Sequence, residues 1–137
     1  MALRRRDPWC AEKAARELVG LGPGLTPAGD DLLAGLIGGW WWRKKAYGGH
    51  GGLPQHCLRT VAAVARECTN VFGYREIYGA TVGELPEAAL EVVTAILRGN
   101  IELASRVLEL LALGSSSGTD MLAGICLALA SVEDLVS

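Results

Sequence analysis

Gly29-Asp30-Asp31-Leu32-Leu33-Ala34-Gly35-Leu36 and Gly118-Thr119-Asp120-Met121-Leu122-Ala123-Gly124-Ile125 belong to one chain of 137 residues and read almost alike. Five of the eight positions are identical, and two more exchange apolar residues of similar size. Each stretch opens a helical pattern, and each follows a glycine-rich turn that carries hydroxyls: Thr26 in the first, Ser115, Ser116 and Ser117 in the second. Such a recurrence predicts a duplicated turn–helix unit inside a single helical domain.

Outward from the repeat, the periodicity is helical throughout. Asp7-Pro8 is a start signal for a helix over Trp9 to Val19. The run Gly20 to Gly29 cannot be helix, and a second helical pattern extends from Asp30 to about Lys45. The segment from Tyr47 to Gly52 reads as an exposed loop. Pro54 opens a third helix that reaches about Val71, and Gly73 to Gly83 is assigned a short one. Leu85-Pro86-Glu87 starts a further helix that Gly99 ends. Asn100 caps the next, with Ile101, Ala104, Leu108 and Leu111 as its expected core stripe and Glu102, Ser105, Arg106 and Glu109 as its wet face. A last helix is expected from Thr119 to Leu135. No useful length alternates apolar and polar residues, so the expected fold is all-α, with six to seven helices in one domain over residues 1–137.

Composition agrees. Half of the residues are apolar and a fifth are charged, which is globular rather than disordered. With one Phe and three Tyr, the core has to be built from Ala, Leu, Val and Ile. A net charge of −2 offers no field for a polyanion, so nucleic acid is not an expected partner. Cys10, Cys57, Cys68 and Cys126 form no C-x-x-C pair and stand at no zinc spacing to His50 or His56; they read as buried thiols of a cytoplasmic protein. The Arg4-Arg5-Arg6 opening lacks the apolar stretch of a signal peptide. The run Leu32 to Trp42 is too short to span a bilayer, so no membrane association is expected. Trp40-Trp41-Trp42 points three indoles in three directions, and at least one is expected to be exposed or in an interface.

The chemistry-bearing residues gather at the two turns. Glycines let backbone N–H groups converge, and the first turn of a helix adds free donors and a partial positive charge suited to phosphate or carboxylate. The expected anion site comprises Gly22, Gly24, Thr26, Gly29, Asp30 and Asp31 from the first turn, with Ser115, Ser116, Gly118 and Asp120 from the second. The acids repel an anion unless they are hydrogen-bonded to the turns or bridged by Mg²⁺ at Asp31 and Asp120. The alternative assignment is structural: Asp30 or Asp31 caps the helix, and Ala34-Gly35 with Ala123-Gly124 lets two helices cross closely. A P-loop is not expected, because no Lys follows Gly29.

The run Gly20-Leu21-Gly22-Pro23-Gly24-Leu25-Thr26-Pro27-Ala28-Gly29-Asp30-Asp31 resembles the signature of the AllH-type family, with Ala28 where members carry Ser. The second element, Gly114 to Gly124, resembles that family's Gly-His-Ser-Ser-Gly-x-Asp, with Ser115 in place of the His. The resemblance covers nearly all of the chain from Leu18 onward; members are usually about twice as long, which implies an N-terminal part absent here or supplied by another chain. It implies a role in purine or allantoin catabolism, as one subunit of an oxamate carbamoyltransferase that exchanges a carbamoyl group between oxamate and phosphate. The small anionic partners so implied are carbamoyl phosphate, phosphate and oxamate, alongside other protein subunits or a homo-oligomer. A non-catalytic helical scaffold is the other functional expectation, and no catalytic residue is assigned.

Overall fold

The structure, a computed structural model, describes residues 8–48, 53–99 and 101–130. Among these it has seven helices and no strand: α1 (Pro8–Leu18), α2 (Ala28–Tyr47), α3 (Gln55–Cys68), α4 (Val71–Ala80), α5 (Glu87–Arg98), α6 (Leu103–Leu111) and α7 (Ser117–Ala130). The all-α expectation holds. His50 and the end of the Tyr47–Gly52 loop, the Asn100 cap and the stretch beyond Ala130 lie outside the described residues.

Helix α2 is the centre of the molecule. Residues Gly29 to Trp40 are buried apart from a half-buried Leu32, so this helix has no wet face along that length. It packs along α7 and is covered elsewhere by α4 and α5, while α1 packs on α3 and α5 on α6. The remaining helices are amphipathic. Ala11 and Ala15 face inward from α1, and Cys57, Val61, Val64 and Ala65 do so from α3. Ala89, Val92 and Val93 do the same from α5. Trp40 is the one aromatic among the buried core residues described, as the composition required.

The α2–α7 crossing is made of backbone. A Cβ added at Gly35 would overlap the carbonyl oxygen of Met121, and one added at Gly124 would overlap the carbonyl oxygen of Leu32. Farther along, Gly39 faces Ala128, whose Cβ would stand 2.8 Å from an added methyl. Contacts advance in the same direction on both helices, from Thr26–Ser117 at one end to Arg43–Ala128 at the other. The two helices are therefore parallel, and their N-termini lie side by side.

The approaches to the two helices correspond. Leu21 N–H donates to the Leu18 carbonyl at 3.1 Å, and Leu113 N–H to the Leu110 carbonyl at 3.0 Å. Gly29 N–H then donates to the Leu21 carbonyl at 2.9 Å, and Gly118 N–H to the Leu113 carbonyl at 3.2 Å. Gly29 lies on the Leu18 carbonyl and Gly118 on the Leu110 carbonyl, each with no room for a side chain.

Several expectations from sequence are corrected. Helix α2 begins at Ala28, not Asp30, and α7 at Ser117, not Thr119. Helix α3 stops at Cys68, because Asn70 caps a new helix by accepting from Gly73 N–H at 2.9 Å. The expected α6 stripe faces outward: Ile101 is 99% and Leu108 68% exposed, Ala104 is exposed, and Leu111 is partly so. Leu110, with Leu103 and Val107, packs inward instead. Within Trp40-Trp41-Trp42 no indole is wide open: Trp40 is buried, and Trp42 Nε1–H donates to the Gly83 carbonyl at 2.8 Å. Trp41 lies against Gly83 and meets Trp42 edge-on at 4.9 Å between centroids. None of the four cysteines is in a disulfide, but only Cys57 is buried; Cys68 and Cys126 are exposed.

A methyl group at the crossing tests this architecture. Gly→Ala normally strengthens a helix by up to about 1 kcal/mol, whereas forcing extra carbon into a filled contact costs about 1–3 kcal/mol. Gly35→Ala and Gly124→Ala are each expected to lower the midpoint of urea unfolding. Gly79→Ala, whose new carbon meets Glu84 Cβ at an ordinary 3.4 Å, is expected to leave it unchanged or raise it.

Candidate functional site

Convergence of the two helix starts brings Thr26 and Ser117 together, with their hydroxyl oxygens 3.0 Å apart. Below them lies Asp31, fully buried. Ser117 hydrogen-bonds to its carboxylate, and Thr26 Oγ1 approaches its Oδ2 at 3.5 Å. Asp120, one turn into α7, adds its negative charge, and Glu76 of α4 hydrogen-bonds to Asp31 from the far side. The local cause is a shared register. Asp31 N–H donates to the Pro27 carbonyl at 3.1 Å and Asp120 N–H to the Ser116 carbonyl at 2.9 Å, so both acids occupy the same place in their helices' first turns.

Asp30 does different work. Its Oδ1 accepts from Gly20 N–H at 2.8 Å and its Oδ2 from the Thr69 hydroxyl at 2.5 Å. A Cβ at Gly73 would strike that same Oδ2. Asp30 thus ties the first turn to the α3–α4 junction, and Asn70 Nδ2 assists by donating to the Leu25 carbonyl at 2.8 Å. The role of Asp30 is structural but not the helix cap weighed from sequence: Pro27 stands at the N-cap of α2, with no side-chain cap hydrogen bond.

The other expected residues divide by exposure. Gly22 and Gly24 stand on the exposed arc of the first turn with φ of 108° and 100°, which L side chains seldom adopt. Ser115 and Ser116 are exposed on the second. Gly29 and Gly118 are buried, and their N–H groups already serve carbonyls of the turns. The polar atoms presented at the junction are therefore hydroxyls and carboxyls. Sequence reasoning overlooked Glu76. Its signal was available: on α4 it lies beside Gly73, Ile77 and Ala80, an acid on the buried, small-residue face.

Burial dominates the electrostatics. It raises the Asp31 carboxyl above its ordinary range against the hydrogen bonds from Glu76, Ser117 and Thr26, and the Asp120 charge raises it further. Burial likewise lifts Glu76, then the hydrogen bond to Asp31 and the charges of Asp31 and Asp30, from 4.5 to about 8. At neutral pH Glu76 carries a proton and donates it toward Asp31. A cleft of about 530 Å³ lined by Trp40, Trp41, Lys44, Lys45 and Leu53 lies toward the opposite end of α2, away from this chemistry. Among the described residues no three His, Cys, Asp or Glu side chains are grouped to hold a metal, and no helix is long and apolar enough to cross a membrane.

The sequence profile of the oxamate carbamoyltransferase subunit AllH family matches residues 18–129. The chain belongs to that family. The match begins at the carbonyl on which Gly29 rests and includes both turns, α4 and the whole α2–α7 crossing. No curated protein and no solved structure matches the chain. The family's name suggests a carbamoyltransferase-associated subunit, and its subunit designation suggests protein partners.

The raised Glu76 gives stability a definite pH dependence. A carboxyl lifted from 4.5 to about 8 contributes stability that is complete below 4.5 and is lost as pH rises through about 8. Glu76→Gln keeps a donor toward Asp31 and removes the titration. In buffer containing a chelator, the wild-type melting temperature is expected to fall more steeply than that of Glu76→Gln between about pH 5 and about pH 8. Parallel profiles would show that Glu76 does not titrate there.

Proposed function

We propose that this chain serves as a subunit of a carbamoyl-transferring assembly of the oxamate carbamoyltransferase type, in purine catabolism, and that its turn junction holds a small anionic substrate: carbamoyl phosphate, phosphate or oxamate. One observation carries the reading. Two hydroxyls 91 residues apart in sequence meet at 3.0 Å over a buried carboxyl, where two helix N-termini lie side by side. Passing a carbamoyl group between oxamate nitrogen and phosphate oxygen places negative charge on oxygens, which donors fixed in advance stabilise. Thr26 and Ser117 are the donors in this reading, and two N-terminal dipoles add to them. The matching hydrogen bonds of the two turns support a duplicated unit, one copy on each side of the substrate.

The exposed face of α6 supports the subunit role. Ile101, Ala104, Leu108 and Leu111 recur at helical spacing without cover. An apolar stripe of that kind marks an interaction surface, and its occupant in this reading is a partner subunit of the assembly.

Two measurements separate the parts of the proposal. Titration calorimetry is expected to show binding of at least one of the three anions to the assembled subunits, weakened in Thr26→Ala; no binding by any of them removes the substrate role. Leu108→Glu, on a side chain 68% exposed, is expected to abolish co-purification with partner subunits while leaving the melting temperature of the chain alone within about 1–2 °C, since surface changes stay within about 0.5 kcal/mol. Retained co-purification would place the interface elsewhere.

A further inference from the structure

We infer that the turn junction is a binding site for one hard divalent cation, of the Mg²⁺ or Mn²⁺ kind, held between the carboxylates of Asp31 and Glu76 beside the hydroxyls of Thr26 and Ser117. The inference deepens the reading of the junction as a substrate site and rests on it for its purpose, though not for its geometry.

The first observation is a set of empty lone pairs. Asp31 Oδ1, Glu76 Oε2 and Asp120 Oδ2 are all buried and have no hydrogen-bond partner, and Asp31 is 0% exposed. Buried carboxylate oxygens are ordinarily satisfied, as both oxygens of Asp30 are only one residue away. The second observation is charge without a counter-charge. Among the described residues, ion pairs are made by Arg16 with Glu12 and Glu67, and by Arg106 with Glu91, Glu102 and Glu109. None reaches Asp30, Asp31, Glu76 or Asp120.

A single proton shared by Asp31 and Glu76 joins those two groups and leaves Asp120 Oδ2 as it was. A divalent cation does more. It would take an oxygen of each carboxylate, could accept the neutral hydroxyl oxygens as further hard ligands, and would offset the Asp120 charge through its field. Two carboxylates and two neutral hydroxyls suit Mg²⁺ or Mn²⁺ better than Ca²⁺. Mg²⁺ is commonly held by one or two carboxylates, keeps several waters and takes substrate phosphate oxygens, whereas Ca²⁺ wants six to eight oxygens. The remaining positions would be left to water or to a substrate oxygen. A phosphate or oxamate oxygen arriving there would meet a cation rather than bare carboxylates. The cation thereby converts an acidic junction into an anion site.

The test uses the full chain, stripped with a chelator and dialysed, with Mn²⁺ as the probe read by electron paramagnetic resonance and by calorimetry. One Mn²⁺ per chain is expected, displaced competitively by Mg²⁺. Glu76→Gln and Asp31→Asn are each expected to weaken it at least about tenfold, the loss that removing even an outer partner of a metal brings. Glu87→Gln, an exposed acid at the start of α5, is expected to bind as the wild type does. Should Asp31→Asn fail to fold, Glu76→Gln and Ser117→Ala, checked by circular dichroism, carry the comparison. A folded wild type that takes up no Mn²⁺ at millimolar concentration overturns the site, and so does a Glu76→Gln protein with unchanged affinity. Mn²⁺ binding without any effect on phosphate or oxamate sustains the cation site and removes its link to substrate; anion binding in the presence of chelator sustains the substrate reading and removes the cation's part in it.

Discussion

At Gly35 and Gly124 no side chain separates the backbones of α2 and α7; each glycine lies against a main-chain carbonyl of the other helix. Helices in such contact approach at the tight end of the usual range, about 8 Å between axes. The contact is reciprocal, and the helices run the same way, so it sets their rotation and offset together. Because Gly29 and Gly118 lie six residues before the crossing, both helix starts fall within roughly two turns of it. Thr26 and Ser117 can meet only because the crossing is this close.

Parallel helices with adjacent ends carry an electrostatic cost, since like ends of their dipoles face one another. The sequence answers at both ends. Near the C-termini, the buried Arg43 donates to the Ala128 carbonyl at 3.1 Å, and Lys44 and Lys45 occupy the last turn of α2. Near the N-termini stand Asp30, Asp31, Asp120 and Glu76. The two dipoles supply roughly half a positive charge each, which offsets about one carboxylate of the four. Both oxygens of Asp30 are hydrogen-bonded, so the surplus falls on Asp31, Asp120 and Glu76. A raised Glu76 is the consequence: the junction has to take up a proton or another positive charge.

What was legible in the sequence follows from how local its cause is. The duplicated glycines, the helical periods and the turn hydroxyls are local patterns, and they led to the all-α fold and to a junction between two helix starts. The face of α6 was not legible. Leu103, Val107 and Leu110 make an apolar stripe as regular as Ile101, Ala104, Leu108 and Leu111, and only the position of α5 and α7 decides which turns inward. Glu76 was missed for a similar reason. Nothing near it in sequence says that α4 crosses α2 at Asp31; that depends on Asn70 restarting the chain in a new direction and on Gly73 admitting Asp30 Oδ2. At least one indole of Trp40-Trp41-Trp42 was expected to be exposed or in an interface; Trp41 and Trp42 lie against Gly83 of the same chain.

The exposed stripe and the junction are also mechanically joined. Helix α6 ends where the second turn starts: the Leu110 carbonyl supports both Leu113 N–H and the Cα of Gly118, and Gly118 is the neighbour of Ser117. Backbone lying on backbone leaves no side chain to absorb a displacement, and close-packed interiors transmit strain rather than dissipate it. A partner seated on Ile101, Leu108 and Leu111 that shifted α6 along its axis would therefore move the Ser117 hydroxyl relative to Thr26, which α1 and the α3–α4 junction hold independently through Leu18, Asp30 and Asn70. One half of the junction is anchored to the body of the domain and the other to the helix with the open apolar face.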